Sequence, residues 1–346
     1  MRFSDVKLID VTKFLIALSI SLLLLYLVFQ KVDWQDFIDK FYTVDYRWVL
    51  FSMVLSFTSY IARAYRWVLL INPFGYKLKT SRSVIAVFIG YLANLALPRL
   101  GEVTRCAVLK KNDNIPIPLS FGTVITERIF DLIMLIILFL ITMILEFDIL
   151  YAFFQQVLEY VPDISYFMYG LSGFILISAS LIFIFRKRLI KWITSLLFYQ
   201  KVSGFVHQLW EGFLSFKNVE NKTGFILSTI SIWVVYFLMT YVITFSMSET
   251  ESLGIMAGMT MLVGAGVALI IPVQAGFGTY HFIITLLLTF YGIEKETGRF
   301  FATLLHTSQI ITILFFGALS LIISFFIKRS IHDQNGRKNT PAEPTS

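Results

Sequence analysis

The sequence predicts an all-α polytopic membrane protein made of two inverted repeats, each with three long spanning helices and one broken re-entrant hairpin. Three observations carry that expectation. Apolar residues make up 57% of the 346 and charged residues only 15%, where soluble chains run nearer half and a quarter. The apolar residues gather in runs long enough to cross a bilayer, which takes about 20 of them. The same interruption also recurs in two similar halves. A mean hydropathy of +0.76 excludes a disordered chain, a collagen and an ordinary cytosolic enzyme.

The first long run is 12–30. Arg2, Lys7 and Lys13 give its start the look of a signal peptide, but no small-x-small cleavage site follows, so an uncleaved span is expected. A second span covers 47–71. A short segment, 83–97, ends at Pro98-Arg99-Leu100-Gly101, and a shorter stretch, 102–111, follows. A long segment, 119–147, closes the half. The second half repeats the order with spans at 165–185 and 224–247, short segments at 254–271 and 279–292 around a break at 272–278, and a span at 299–327.

The two breaks overlay at an offset of 174: Gly90 meets Gly264, Leu95 meets Leu269 and Pro98 meets Pro272, with Gly101 and Gly276 close behind. A break in the same slot of two similar halves points to duplication. Pro ends a helix by removing a donor and crowding the preceding turn. A 14-residue arm reaches only ~21 Å, against a hydrocarbon core of ~30 Å. The short segments therefore read as re-entrant arms, with Pro98, Gly101, Pro272, Gly276 and Gly278 as hinge positions. The competing reading is two full spans joined by a turn.

Basic residues orient the chain. The loop 72–82 carries Lys77, Lys79 and Arg82, and 186–222 carries seven Lys and Arg, whereas 148–164 and 248–253 carry none. The positive-inside rule puts the first group, both termini and the tail 328–346 in the cytoplasm, and 148–164 and 248–253 outside as loops. The tail is expected to be disordered, which leaves 1–327 as one membrane domain with repeats at 12–147 and 165–327. Residues 187–217, with Phe198, Val202, Phe205, Leu209 and Phe213 at helical spacing, read as an interfacial amphipathic linker. The net charge of +7 fits such loops and does not require nucleic acid. No HExxH, CxxC or GxxxxGK[ST] pattern occurs, so no metal or cofactor is expected.

Charges inside the spans single out a site, because each costs ~2.5–3.5 kcal/mol at a helix centre. Arg99, Glu102 and Arg105 flank the first break; Glu127, Arg128 and Asp131 begin the span after it. Glu127 and Asp131 share a helix face and should recruit arginines, from Arg99, Arg105 or the pair Arg63 and Arg66. The latter two also read as residues that snorkel to the interface beside Trp67, itself an expected belt anchor like Trp48. The second break offers Gln274 and His281. The alternative to a headgroup cavity is a set of ion pairs that only pins helices.

LPRLGEVTRCAVL (97–109), TERIFDL (126–132) and PVQAGFGTYH (272–281) together resemble the lysylphosphatidylglycerol synthase transmembrane family, flippase-like proteins related to the membrane half of the bacterial multiple peptide resistance factor. The resemblance implies binding roles for Arg99, Glu102, Arg105, Glu127, Arg128 and Asp131, with His281 where the family's third motif has Glu. It implies a bacterial plasma membrane protein that moves a phosphate-bearing lipid headgroup between leaflets. The aminoacyl-transfer domain of the resistance factors has no counterpart in the residues after Ile327, so aminoacyl transfer is not expected. Two other readings remain: a membrane enzyme using Glu102, Glu127, Asp131 and His281 as acid and base, and a partner of a separately encoded lipid-modifying synthase. A homo-oligomer is compatible with each.

Overall fold

The computed structural model describes residues 19, 22–23, 25–30, 32–160, 199–270 and 273–327. The expected span 12–30 lies mostly outside the described residues. The span 165–185, linker residues 187–198, Pro272 and the tail 328–346 lie wholly outside them. The described residues are helical, with no strand among them.

After Asp33, whose carboxylate caps the free amides of Gln35 and Asp36, α1 runs Trp34–Thr43. Asp45 caps α2, Tyr46–Ile71. A short turn with Pro73 and Gly75 leads to α3, Thr80–Ala96, and α4, Leu100–Asp113. Between them Leu97 is extended and Arg99 takes a left-handed φ of 64°. Pro116 and Pro118 open α5, Ile117–Leu145, where missing amide donors cost nothing. α6 spans Phe147–Tyr160. This overturns the expected loop at 148–164: the lack of Lys and Arg bears on side, not conformation, and Leu150 and Phe153 are buried. The linker helix α7 is Tyr199–Phe213. Then come α8, Lys222–Val242, and the second hairpin, α9 (Ile255–Ile270) and α10 (Thr279–Phe290). α11, Lys295–Phe326, closes the described chain.

Among the described residues, three helical stretches are long and apolar enough to cross a membrane: Ile117–Leu145, Lys222–Ser246 and Lys295–Phe326. α2 is long enough at 26 residues but less apolar, because it carries Arg63 and Arg66. α5 divides its surface along its length. Its first half buries Thr123, Thr126, Glu127 and Asp131, while Ile133, Ile137, Leu140 and Ile144 stand exposed further on. An apolar surface of that extent belongs against lipid.

α2 and α8 pack antiparallel. The Asp45 amide donates to the Ser246 carbonyl at 2.9 Å, and Ser52 Oγ to the Met239 carbonyl at 2.7 Å. At the other end of α2, Ser83 Oγ of α3 donates to the Ala64 carbonyl, and an Arg82–Asp113 pair of 2.7 Å ties the open end of the first hairpin. The second hairpin opens at the opposite end, where Gly258 lies under Tyr241 and Phe237 of α8 and Thr260 bonds Tyr291. The two tips meet. Gln274 Nε2 donates to the carbonyls of Leu95 and Ala96 at 2.9 and 2.7 Å, carbonyls that the end of α3 leaves without helical partners.

Candidate functional site

Arginines and carboxylates from α2, α4 and α5 meet in one cluster. One turn apart, Glu127 and Asp131 lie on the protein-facing side of α5, and both are buried. Arg63 and Arg66 share the facing side of α2. Arg66 Nη2 donates to Asp131 Oδ1 at 2.7 Å, and Arg63 Nη2 lies 3.0 Å from Asp131 Oδ2. Arg66 Nε approaches Glu127 Oε1 at 3.8 Å. α8 completes the shell: Tyr236 accepts from Arg63 Nε, and Thr229 Oγ1 accepts from Arg66 Nη1 at 3.3 Å. The recruitment required by two carboxylates on one face is thus met by Arg63, Arg66 and Arg105.

Two expectations are corrected. Arg63 and Arg66 do not snorkel to an interface; Arg66 is wholly buried and anchors the cluster. Trp67 is no belt anchor. It too is wholly buried, donates to Thr123 Oγ1 at 2.8 Å, and lies under the Arg105 guanidinium at 4.5 Å. The physical reason is the same for both: isolated buried charge is far costlier than paired charge, so the arginines follow the carboxylates inward.

α4 brings the third side. Its arm packs against α3 through Gly90 and Gly101, where a Cβ on Gly101 would sit 2.1 Å from the Gly90 carbonyl oxygen. Gly101 therefore serves close approach, and the left-handed hinge residue is Arg99. Asn94 Oδ1 accepts from the Gly101 amide at 2.6 Å, spanning the break. This approach sets Arg105 Nη2 2.7 Å from Glu127 Oε2, close but out of line for a hydrogen bond, since neither atom has one. Further out, Arg128 Nη2 donates to Glu102 Oε1 at 2.8 Å. A narrow, half-open cleft lies here, lined by Tyr91, Asn94, Gly101, Glu102, Arg105 and Arg128.

The structure brings together Glu102, Arg105, Glu127, Arg128 and Asp131. It leaves out three residues predicted with them. Arg99 is exposed at the first tip, with no ion-pair partner among the described residues. Gln274 caps α3. His281 is buried in an aromatic nest with Phe29, Phe277 and Tyr280, its ring 5.1 Å from that of His306, which in turn bonds the Ala275 carbonyl. Pro98 lies in the first break. Gly276 and Gly278 take φ values of 76° and 82°, and Ala275 takes 49°; a glycine adopts such a backbone freely, alanine only under strain. Sequence reasoning missed Thr229 and Tyr236. A tyrosine in an apolar run carries no signal until its neighbour is known.

A helical chain whose described residues include three membrane-length apolar stretches and a buried ionic cluster is a multi-pass membrane protein. Residues 14–317 match the family described as lysylphosphatidylglycerol synthase TM region, and the chain belongs to that family. It is similar to a UPF0104 membrane protein of Methanocaldococcus jannaschii, 23% identical over 349 residues that cover 95% of this chain and 99% of that one. It is also similar to the glycosyltransferase AglD of Haloferax volcanii, 31% identical over 120 residues, 34% of this chain and 18% of that protein. No solved structure matches.

Proposed function

We propose that this protein moves a phosphate-bearing lipid headgroup between leaflets by alternating access. The observation that carries the reading is the position of the cluster. Arg105 and Arg128 line a cleft beside the tip of a short broken hairpin, and that tip is bonded to the tip of a second one. Arginine forks suit phosphate oxygens, and intramembrane charge is functional by default.

Several features support an inverted duplication. The offset of 174 carries α2, α3 and α5 onto residues 220–245, 254–270 and 291–319, close to α8, α9 and α11. The hairpin arms have 17, 14, 16 and 12 residues, each short of the ~30 Å core at 1.5 Å per residue. Their open ends lie at opposite ends of α2. Inverted repeats of broken helices favour rocking about a midplane site. On this reading the acyl chains stay in lipid, Lys77, Lys79, Arg82, Lys217 and Lys222 mark the cytoplasmic side, and the membrane is a bacterial plasma membrane.

The test is lipid scrambling in proteoliposomes that contain only this protein. Headgroup-dependent movement that falls at least tenfold in Arg105→Ala is the expected result. Absence of movement by folded, reconstituted protein rejects the proposal.

A second reading draws on the segment shared with a protein named as a glycosyltransferase. It makes this chain the membrane companion of a separately encoded enzyme acting on lipid carriers. Co-purification of a transferase, together with no lipid movement by the protein alone, would favour it.

A further inference from the structure

We infer that the cleft takes a headgroup of one net negative charge, a phosphodiester anion, and that this anion enters by displacing Glu102 from Arg128. The inference rests on the reading above only in that the cleft receives a lipid phosphate.

The charge count comes first. Four guanidinium groups, Arg63, Arg66, Arg105 and Arg128, face three carboxylates, Glu102, Glu127 and Asp131, among the described residues. The cluster is thus one positive charge in excess. Tyr91 and Tyr236 add none. A monoanion neutralises it; a zwitterion leaves the excess in place and brings an ammonium toward four arginines.

Accessibility identifies the pair that gives way. The side chains of Arg63, Arg66, Arg105, Glu127 and Asp131 are at most 11% exposed, whereas Arg128 is 43% and Glu102 18% exposed. Arg128 and Glu102 are the pair on the cleft wall. The pair also joins the hairpin, through α4, to α5, so exchanging Glu102 for phosphate releases the hairpin. Arg105 is the second grip: it lines the cleft, and its Nη2, though ion-paired with Glu127 at 2.7 Å, makes no aligned hydrogen bond there. Both guanidinium groups can then meet one phosphate, as arginine forks do.

Binding to purified protein in detergent tests this, with phosphatidylglycerol against phosphatidylethanolamine, both phosphodiesters that differ in net charge. Phosphatidylglycerol should bind at least tenfold tighter. Glu102→Gln, which removes the competing carboxylate, should tighten phosphatidylglycerol a further threefold or more. Arg128→Gln should abolish the preference, and Arg128→Lys should keep most of it, which separates lost charge from lost fold. Equal binding of the two lipids, or weaker phosphatidylglycerol binding in Glu102→Gln, overturns the inference. So does displacement of the lipid by inorganic phosphate at equal concentration, which would mark a site for free phosphate. Selective binding without scrambling would reject translocation and leave this inference standing. Scrambling without selectivity would do the reverse.

Discussion

Arg66 of α2 holds Asp131 of α5 at 2.7 Å, with the arginine side chain wholly buried. With Arg63–Asp131 and Trp67–Thr123, that contact ties α2 to α5, two helices that otherwise pack against different partners, α8 for α2 and α7 for α5. It also sets the depth of the neighbouring charges, because Arg63 reaches the second oxygen of the same carboxylate.

Removing one member of this pair leaves an uncompensated buried charge, which costs ~3–5 kcal/mol. Asp131→Asn should therefore lower the detergent thermal midpoint sharply, and so should Arg66→Met. The paired change should recover part of the loss, since both charges then go while Arg63 still lacks its carboxylate. A double variant as unstable as the sum of the singles would mean that the two residues act independently.

Gly101→Ala forces a second kind of failure. The added Cβ would stand 2.1 Å from the Gly90 carbonyl and 2.7 Å from the Asn94 side chain. Backbone cannot yield as a side chain does, so the arms must part, at ~1–3 kcal/mol or more. The cleft wall moves with them, and lipid binding should fall along with the thermal midpoint. Gly254→Ala, with nothing within 4 Å, is the control and should be neutral.

The linker helix α7 is fastened to α5 at the turn before Glu127. A Cβ on Gly122 would meet the Leu209 carbonyl at 2.2 Å, one on Gly212 would meet the Leu119 carbonyl at 2.2 Å, and Thr126 Oγ1 donates to the Phe213 carbonyl at 2.6 Å. Gly212→Val should detach α7, expose the linker to protease and lower the thermal midpoint. Thr126→Val should cost less, ~1 kcal/mol. Gly204→Ala, in open space, should leave protease sensitivity unchanged.

Much of this was legible because charge in an apolar run is conspicuous. Glu127 and Asp131 share a face by spacing alone, and their need for arginines follows from electrostatics. The broken segments were legible from Pro98, Gly276 and Gly278, and α2, α3, α5 and α9 begin and end within about three residues of expectation. What was not legible depends on depth and contact. Hydropathy does not say whether Arg63 and Arg66, near a span end, point to water or inward. Nor does a segment without Lys or Arg reveal that 147–160 is a helix. Arg99 and Arg105 look alike in sequence; only the left-handed turn at Arg99 and the Gly90–Gly101 contact separate an exposed tip from a buried grip.

Gln274 offers the sharpest test of how the halves communicate. Its side-chain amide bonds the last two carbonyls of α3, across 178 and 179 residues of chain. Each such bond contributes ~0.5–1.5 kcal/mol net, small against the packing of α3 on α11, so Gln274→Leu should leave the fold nearly intact. The tips, however, would lose their polar tie. If the hairpins move together, scrambling should drop severalfold in Gln274→Leu, while phosphatidylglycerol binding, at a cleft lined by Asn94 next to the bonded Leu95, should fall less than scrambling does. Gln274→Glu should be worse, because a carboxylate set against two carbonyls repels them. Unchanged scrambling in both variants would show that each hairpin moves without the other.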